Sequence, residues 1–180
     1  GKSSLINTLL KEKVAAVSSK PQTTRNAIRC IMTTAKEQII FVDTPGIHKP
    51  KNVLGDFMLH EAEKALSQVD LICFVVEAGD SRIREEEDLI MEILSKCGLP
   101  VVLAVNKVDK LADPELFWKT VEMYETRIMP AAVVPISAKK GTNIDVFIDT
   151  LSKMLPIQPP IYPADMLMDT TERFLAAEVI

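Results

Sequence analysis

The chain has 180 residues, 47% hydrophobic and 26% charged, which suits one α/β domain with a sizeable core and a short further segment. No run approaches the roughly 18 uninterrupted apolar residues of a membrane span. A net charge of −4 advertises no affinity for nucleic acid.

Cys30, Cys73 and Cys97 are odd in number and far apart, with no CxxC pair and no histidine cluster beside them. They read as free thiols of a reducing cytosol rather than metal ligands or disulfides. His48 and His60 are equally isolated and read as surface or loop residues. The chain opens at GKSSL, without Met or signal peptide, an abrupt start.

Along the chain, Ser3 to Leu10 suit a short helix whose Leu5, Leu9 and Leu10 face a core. Val14 to Ala27 is polar, carries Pro21 and reads as a loop. Ile28 to Thr34 and Gln38 to Val42 are apolar or β-branched runs around Ala-Lys-Glu, the pattern of a hairpin. Leu54, Phe57, Met58, Ala62, Ala65, Leu66 and Val69 recur at helical spacing, predicting an amphipathic helix over about 54–68.

LICFVVEA is a continuous apolar run, as in a strand buried on both faces. The run from Glu85 to Asp88 suits the positive end of the next helix, whose apolar side is Ile90, Ile93, Leu94 and Cys97. Gly98 stops that helix and Pro100 opens the strand VVLAV. Asp113 and Pro114 start another helix, continued by Phe117, Val121 and Tyr124. AAVVPIS is a further buried strand, and Ile144, Phe147, Ile148, Leu151 and Leu155 define a last helix. Strands alternating with helices imply a mainly parallel sheet covered on both faces.

Four short motifs fall at the ends of these elements. Gly1, Lys2, Ser3 and Ser4 form the tail of a GxxxxGK[ST] phosphate loop whose first glycine and preceding strand lie outside the sequence. At such a helix start, backbone N–H groups face phosphate oxygens, Lys2 neutralises the β and γ phosphates, and the Ser3 hydroxyl ligates Mg²⁺. Asp43, Thr44, Pro45 and Gly46 end a hydrophobic strand. An aspartate there suits Mg²⁺, and the Gly46 N–H suits a γ-phosphate approached without an intervening side chain.

NKVD, residues Asn106, Lys107, Val108 and Asp109, is the most specific of the four, with a chance expectation of about 2%. Asp109 can accept from guanine N1–H and the 2-amino group, a donor pair adenine lacks, so the wrong base leaves a buried carboxylate unpaired. The Lys107 stem can lie across the base, and Asn106 can bond N7 and tie the loops together. Ser137, Ala138 and Lys139 of SAKKG follow the next strand, with the Ala138 N–H aimed at guanine O6. Each motif alone could be a strand-to-helix turn rich in small and polar residues. All four in this order, at strand ends and helix starts, point to a GTP-binding domain.

With these motifs the chain resembles the translation-factor-related small GTPases and, among them, the bacterial Era family. The residues that carry the resemblance are SSKPQTTRNAIR (Ser18 to Arg29), DTPGIHKP (Asp43 to Pro50), NKVD, SAKKG and the tail YPADMLMDTTERFLAAEVI. It implies an α/β, three-layer P-loop GTPase fold with a mostly parallel sheet, its first strand missing from the sequence, followed by the start of a KH-type domain. The implied boundaries are 1–155 for the GTPase domain, 156–165 for a linker with four prolines, stiff and extended, and 166–180 for the beginning of the RNA-binding domain.

The resemblance also implies that Thr24, with Thr23 as the adjacent alternative, joins Ser3 and Asp43 around Mg²⁺. Lys2, Thr24 and Gly46 would then serve catalysis. The loop holding Thr24 would be switch I, and the segment after Gly46 switch II. Where other GTPases place a water-orienting glutamine, this chain has Ile47. Family members carry a hydrophobic residue there, so slow hydrolysis through backbone and metal positioning is expected. K⁺ use in the family depends on a phosphate-loop asparagine upstream of Gly1, so K⁺ stays unassigned.

The implied role is a GTP-dependent step in small ribosomal subunit assembly, with ribosomal RNA and the 30S subunit met through the C-terminal domain. A cytoplasmic monomer is implied, with peripheral contact at the cytoplasmic face of the membrane. Two alternatives stand beside it: a guanine-nucleotide switch that recruits partners without hydrolysis, and a related GTPase with tandem GTP domains or a tRNA-modifying role.

Overall fold

The computed structural model describes residues 2–12, 28–43 and 64–169. In chain order they form α1 (Lys2–Leu10), β1 (Ile28–Thr33), β2 (Gln38–Asp43), β3 (Ile72–Glu77), α2 (Glu85–Cys97) and β4 (Val101–Asn106). A 3₁₀ turn at Val108–Lys110 leads to α3 (Glu115–Ile128), β5 (Ala132–Pro135), α4 (Ile144–Met154) and β6 (Met168–Asp169). Of the helix expected over 54–68, residues 64–66 are helical and 67–68 form a turn, while 54–63 lie outside the described residues.

β4 is buried at every position, and its side chains alternate between two cores. Val102 and Ala104 pack with α1, α4 and the β1–β2 hairpin, around the fully buried Phe147 and Leu151. Val101, Leu103 and Val105 face the other way, onto Met91 and Leu94 of α2 and Val121 and Tyr124 of α3. A strand with both faces covered has no polar face to present, which is why VVLAV is apolar without a break. Burying a side chain the size of Phe147 contributes roughly 1.5–3 kcal/mol.

The helix boundaries follow local chemistry. At the start of α2, Arg84 N donates to Glu87 at 2.8 Å, and Gly98 ends the helix at φ 70°, a left-handed conformation that glycine adopts without a Cβ clash. At α3 the Asp113 carboxylate accepts the Glu115 N–H at 2.8 Å, so Asp113 caps the helix as its sequence predicts. The apolar side of α2 differs in one respect. Met91, 1% exposed, is its most buried residue, while Ile90, Ile93 and Cys97 sit partly buried at the margin.

Among the described residues, parallel pairing joins β3, β4 and β5, with Ile72 opposite Val101 and Val102 opposite Ala132. β1 and β2 form the expected antiparallel hairpin, Ile28 opposite Asp43, and β6 adds antiparallel to β1. Among the described residues the strands therefore group as three parallel and three antiparallel, in two sheets of three. A cleft of about 1560 Å³ is lined by residues of α1, β1, β2, β3 and α4, among them Lys2, Leu5, Phe41, Asp43, Cys73 and Val75.

Residues 156–165 contain no helix or strand, in keeping with their prolines. They do not run free of the domain. The Gln38 side chain accepts from Ile161 N and Tyr162 N, each at 2.9 Å, and donates to the Tyr162 carbonyl at 2.9 Å. Ile31 N then donates to the Leu167 carbonyl at 2.8 Å, so 161–169 is fastened along the hairpin. No helix among the described residues is long and apolar enough to cross a membrane.

Candidate nucleotide-binding site

The site is assembled at the C-terminal ends of β3, β4 and β5, where open α/β sheets bind ligands. Asn106 is the last residue of β4 and is buried. Its Oδ1 accepts two backbone N–H groups, Lys107 at 2.8 Å and Ala138 at 3.0 Å. The chain turns at Lys107 through a left-handed conformation, φ 68°, and enters the 3₁₀ turn that presents Asp109. Val108 N donates to the Ile136 carbonyl at 3.2 Å, joining this turn to the end of β5.

The Ser137 hydroxyl donates to Asp109 Oδ1 at 2.5 Å and accepts the Lys140 N–H at 3.1 Å. That donation holds the Asp109 carboxyl below the ordinary aspartate range. Asp109 is exposed, so the desolvation that would penalise a wrong base comes only when a base covers it. The Ala138 N–H, expected to face guanine O6, is here given to Asn106. Lys139 is exposed beside it.

The phosphate side begins at α1. Ser3 Oγ donates to Asp43 Oδ2 at 3.3 Å, bringing the first turn of the helix to the end of β2. Asp43 is 2% exposed. Lys2 is exposed as a residue, but its ammonium is crowded by protein atoms, and burial lowers its pKa while Asp43 opposes the shift. Ser3 and Asp43 together offer hard oxygen donors beside a helix N-terminus, a donor set that fits Mg²⁺. Gly1, Thr23, Thr24, Thr44, Pro45, Gly46 and Ile47 lie outside the described residues, as do His48 and His60.

Four of the expected base-site residues, Asn106, Asp109, Ser137 and Ala138, are thus joined by hydrogen bonds, and Ser3 meets Asp43. Thr8 was not legible as part of this arrangement. Its hydroxyl lies 2.7 Å from the Ala138 carbonyl and 2.9 Å from that of Ser4, tying the phosphate-side helix to the base loop. Among the described residues no group of three or more His, Cys, Asp or Glu could hold a metal ion. The three cysteines are free thiols.

Residues 1–107 match the family described as 50S ribosome-binding GTPase. The chain is 44% identical over 180 residues to GTPase Era of Clostridium beijerinckii and 43% identical to that of Staphylococcus haemolyticus, covering 100% of this chain and 60% of each relative. It therefore spans about 60% of the length of the curated relatives it matches. A solved structure of an Aquifex aeolicus Era variant bound to GDP·AlF4⁻ superposes with a TM-score of 0.90 at 36% identity, over 99% of this chain and 61% of that one. A structure of Era with MgGDPNP and nucleotides 1506–1542 of 16S ribosomal RNA gives 0.91 at 37% identity, with coverages of 99% and 61%.

Proposed function

The chain belongs to the 50S ribosome-binding GTPase family, and from that premise we propose that it binds GTP and hydrolyses it to GDP and phosphate. The observation that carries the reading is the linked set Asn106, Asp109, Ser137 and Ala138. It offers a carboxylate acceptor for guanine N1–H and the 2-amino group. Beside it, the Ala138 N–H can be shared between Asn106 and guanine O6. Adenine has an amino group where this site donates and no donor pair where it accepts. Lys107 lies across the base, with Val108 and Lys139 at its margin.

Ser3, Asp43 and Thr24 would hold Mg²⁺, which when bound offsets phosphate charge. Lys2 meets the β and γ phosphates, and Gly1, Ser4, Thr44, Pro45, Gly46 and Ile47 complete the phosphate side. With Ile47 rather than glutamine after Gly46, turnover is slow. K⁺ assistance belongs to the same reading as an open test.

The Era relatives support a GTP-dependent role in small-subunit assembly, one of them having been solved with a 16S ribosomal RNA segment. RNA contact falls to a KH-type region beginning at 166–180, after the GTPase domain at 1–155 and the linker at 156–165. A monomeric, cytoplasmic protein with peripheral membrane contact completes the proposal.

The test is titration of fluorescent GDP with Mg²⁺, competed by GTP and by ATP, followed by single-turnover hydrolysis with and without K⁺. Displacement by GTP alone is expected. Equal displacement by ATP would remove the guanine assignment, and binding without any hydrolysis would favour a recruiting switch.

A further inference from the structure

Glu77, the last residue of β3, stands next to the base site. In the parallel register it lies opposite Asn106, and the Ala78 N–H continues the ladder to the Asn106 carbonyl at 2.8 Å. The Glu77 carboxylate forms an ion pair with Lys107 Nζ, both side chains being 35% exposed and so partly screened from water. Lys107 itself is in the left-handed region at φ 68°, which is disfavoured for a residue with a Cβ and persists only where its surroundings hold it. Its N–H is tied to Asn106 and its ammonium to Glu77, so the stem between them runs a fixed course.

The charge around Glu77 agrees with this arrangement. The hydrogen bond from Lys107 leads the effects that hold the Glu77 carboxyl below the usual glutamate range, and Lys110 and Arg84 add to it. Arg84 is itself bound to Asp80 at 2.7 Å, so Lys107 is the direct partner.

We infer that Glu77 is a positioning residue for guanine-nucleotide binding, anchoring Lys107 so that its stem is laid across the base before the nucleotide arrives. The inference rests on the guanine-site reading above. A lysine stem has among the largest rotamer freedoms of any side chain, and fixing it beforehand reduces the ordering needed on binding. Glu77 touches the base only through Lys107. Its removal should therefore weaken binding without altering the choice of base.

The experiment is a double-mutant cycle on the full chain, with Glu77→Ala, Glu77→Gln, Lys107→Ala and the Glu77→Ala/Lys107→Ala pair. Fluorescent GDP is titrated against each, with ADP as competitor and thermal unfolding as the check on folding. Glu77→Ala should raise the Kd for GDP roughly 3–10-fold, and Glu77→Gln should raise it less because the amide oxygen still accepts. In the Lys107→Ala background the Glu77 substitution should have no further effect. An equal loss in that background would make Glu77 a general structural residue, and tighter binding by Glu77→Ala would make the ion pair a competitor of the nucleotide. Either overturns the inference. If the unsubstituted protein fails to prefer GDP over ADP, the guanine reading fails and the inference falls with it. If it does prefer GDP and Glu77→Ala binds equally well, only the inference fails.

Discussion

Asn106 Oδ1 accepts the Ala138 N–H at 3.0 Å, across 32 residues of chain, and so fixes the loop after β5 against the end of β4. Both residues are buried, so removing the acceptor leaves a backbone donor without its partner. Such a loss costs about 1–3 kcal/mol. Asn106→Ala should therefore reduce guanine-nucleotide affinity by at least roughly tenfold and lower stability in the same range. Fluorescent GDP titration and urea unfolding read the two effects. Unchanged GDP affinity would show that Asn106 does not organise the site.

That bond also shows what a sequence can and cannot display. NKVD was legible because a fully buried strand announces itself as an apolar run, and a polar cluster at its end must then be a loop with work to do. The hairpin was legible from two apolar or β-branched runs about a turn, and α4 from its helical periodicity. Thr8, Gln38 and Glu77 were not. Each is an ordinary polar residue whose meaning comes from a partner elsewhere, 130 residues away for Thr8 and 124 for Gln38. Met91 was missed because the neighbouring isoleucines fit the helical stripe equally well, and only packing against α3 and β3 selects among them. β6 is two residues long and has no periodicity to read.

Ser3 Oγ and Asp43 Oδ2, 3.3 Å apart, carry the metal expectation. Ser3→Ala removes one hard donor while leaving α1 intact, since alanine is a good helix former. The Mg²⁺ concentration that half-saturates GTP binding should rise at least about tenfold. GDP binding without Mg²⁺ should change little. An unaltered Mg²⁺ requirement would take Ser3 out of the metal site.

Cysteine reactivity gives a test with a defined sign. Burial pushes the Cys30 and Cys73 thiols each up to about 12, with the Asp43 charge adding to Cys30. At pH 8 both stay protonated in the fold; Cys30, 0% exposed, should be reached by a thiol reagent only as the chain unfolds, after the partly buried Cys97 and Cys73. For stability, the folded state favours the neutral thiols. Their contribution is complete below the unfolded thiol pKa of roughly 8.5, and is lost as pH rises from there towards about 12. Mass spectrometry after brief labelling at pH 8 decides the order. Equal labelling of all three would contradict the burial of Cys30 in β1.

Gln38 holds the proline-rich segment through a fully used amide. Its oxygen accepts from Ile161 N and Tyr162 N, and its nitrogen donates to the Tyr162 carbonyl and to Thr33 Oγ1 at 3.0 Å. Glutamine at the head of β2 therefore acts as a clip on a segment that cannot supply its own backbone pairing. Gln38→Ala removes three bonds between the hairpin and that segment, each worth about 0.5–1.5 kcal/mol. Hydrogen exchange at Ile161 and Tyr162 should accelerate on the order of 10–100-fold. Exchange in β4 should not change, because its ladder to β3 and β5 does not involve the clip. The pairing of Cys30 with Met168 should hold the far end in place, so the loss stays local to 156–163. Unchanged exchange at both amides would mean that β6 alone fastens the segment. Acceleration that spread into β1 would mean instead that clip and strand open as one unit.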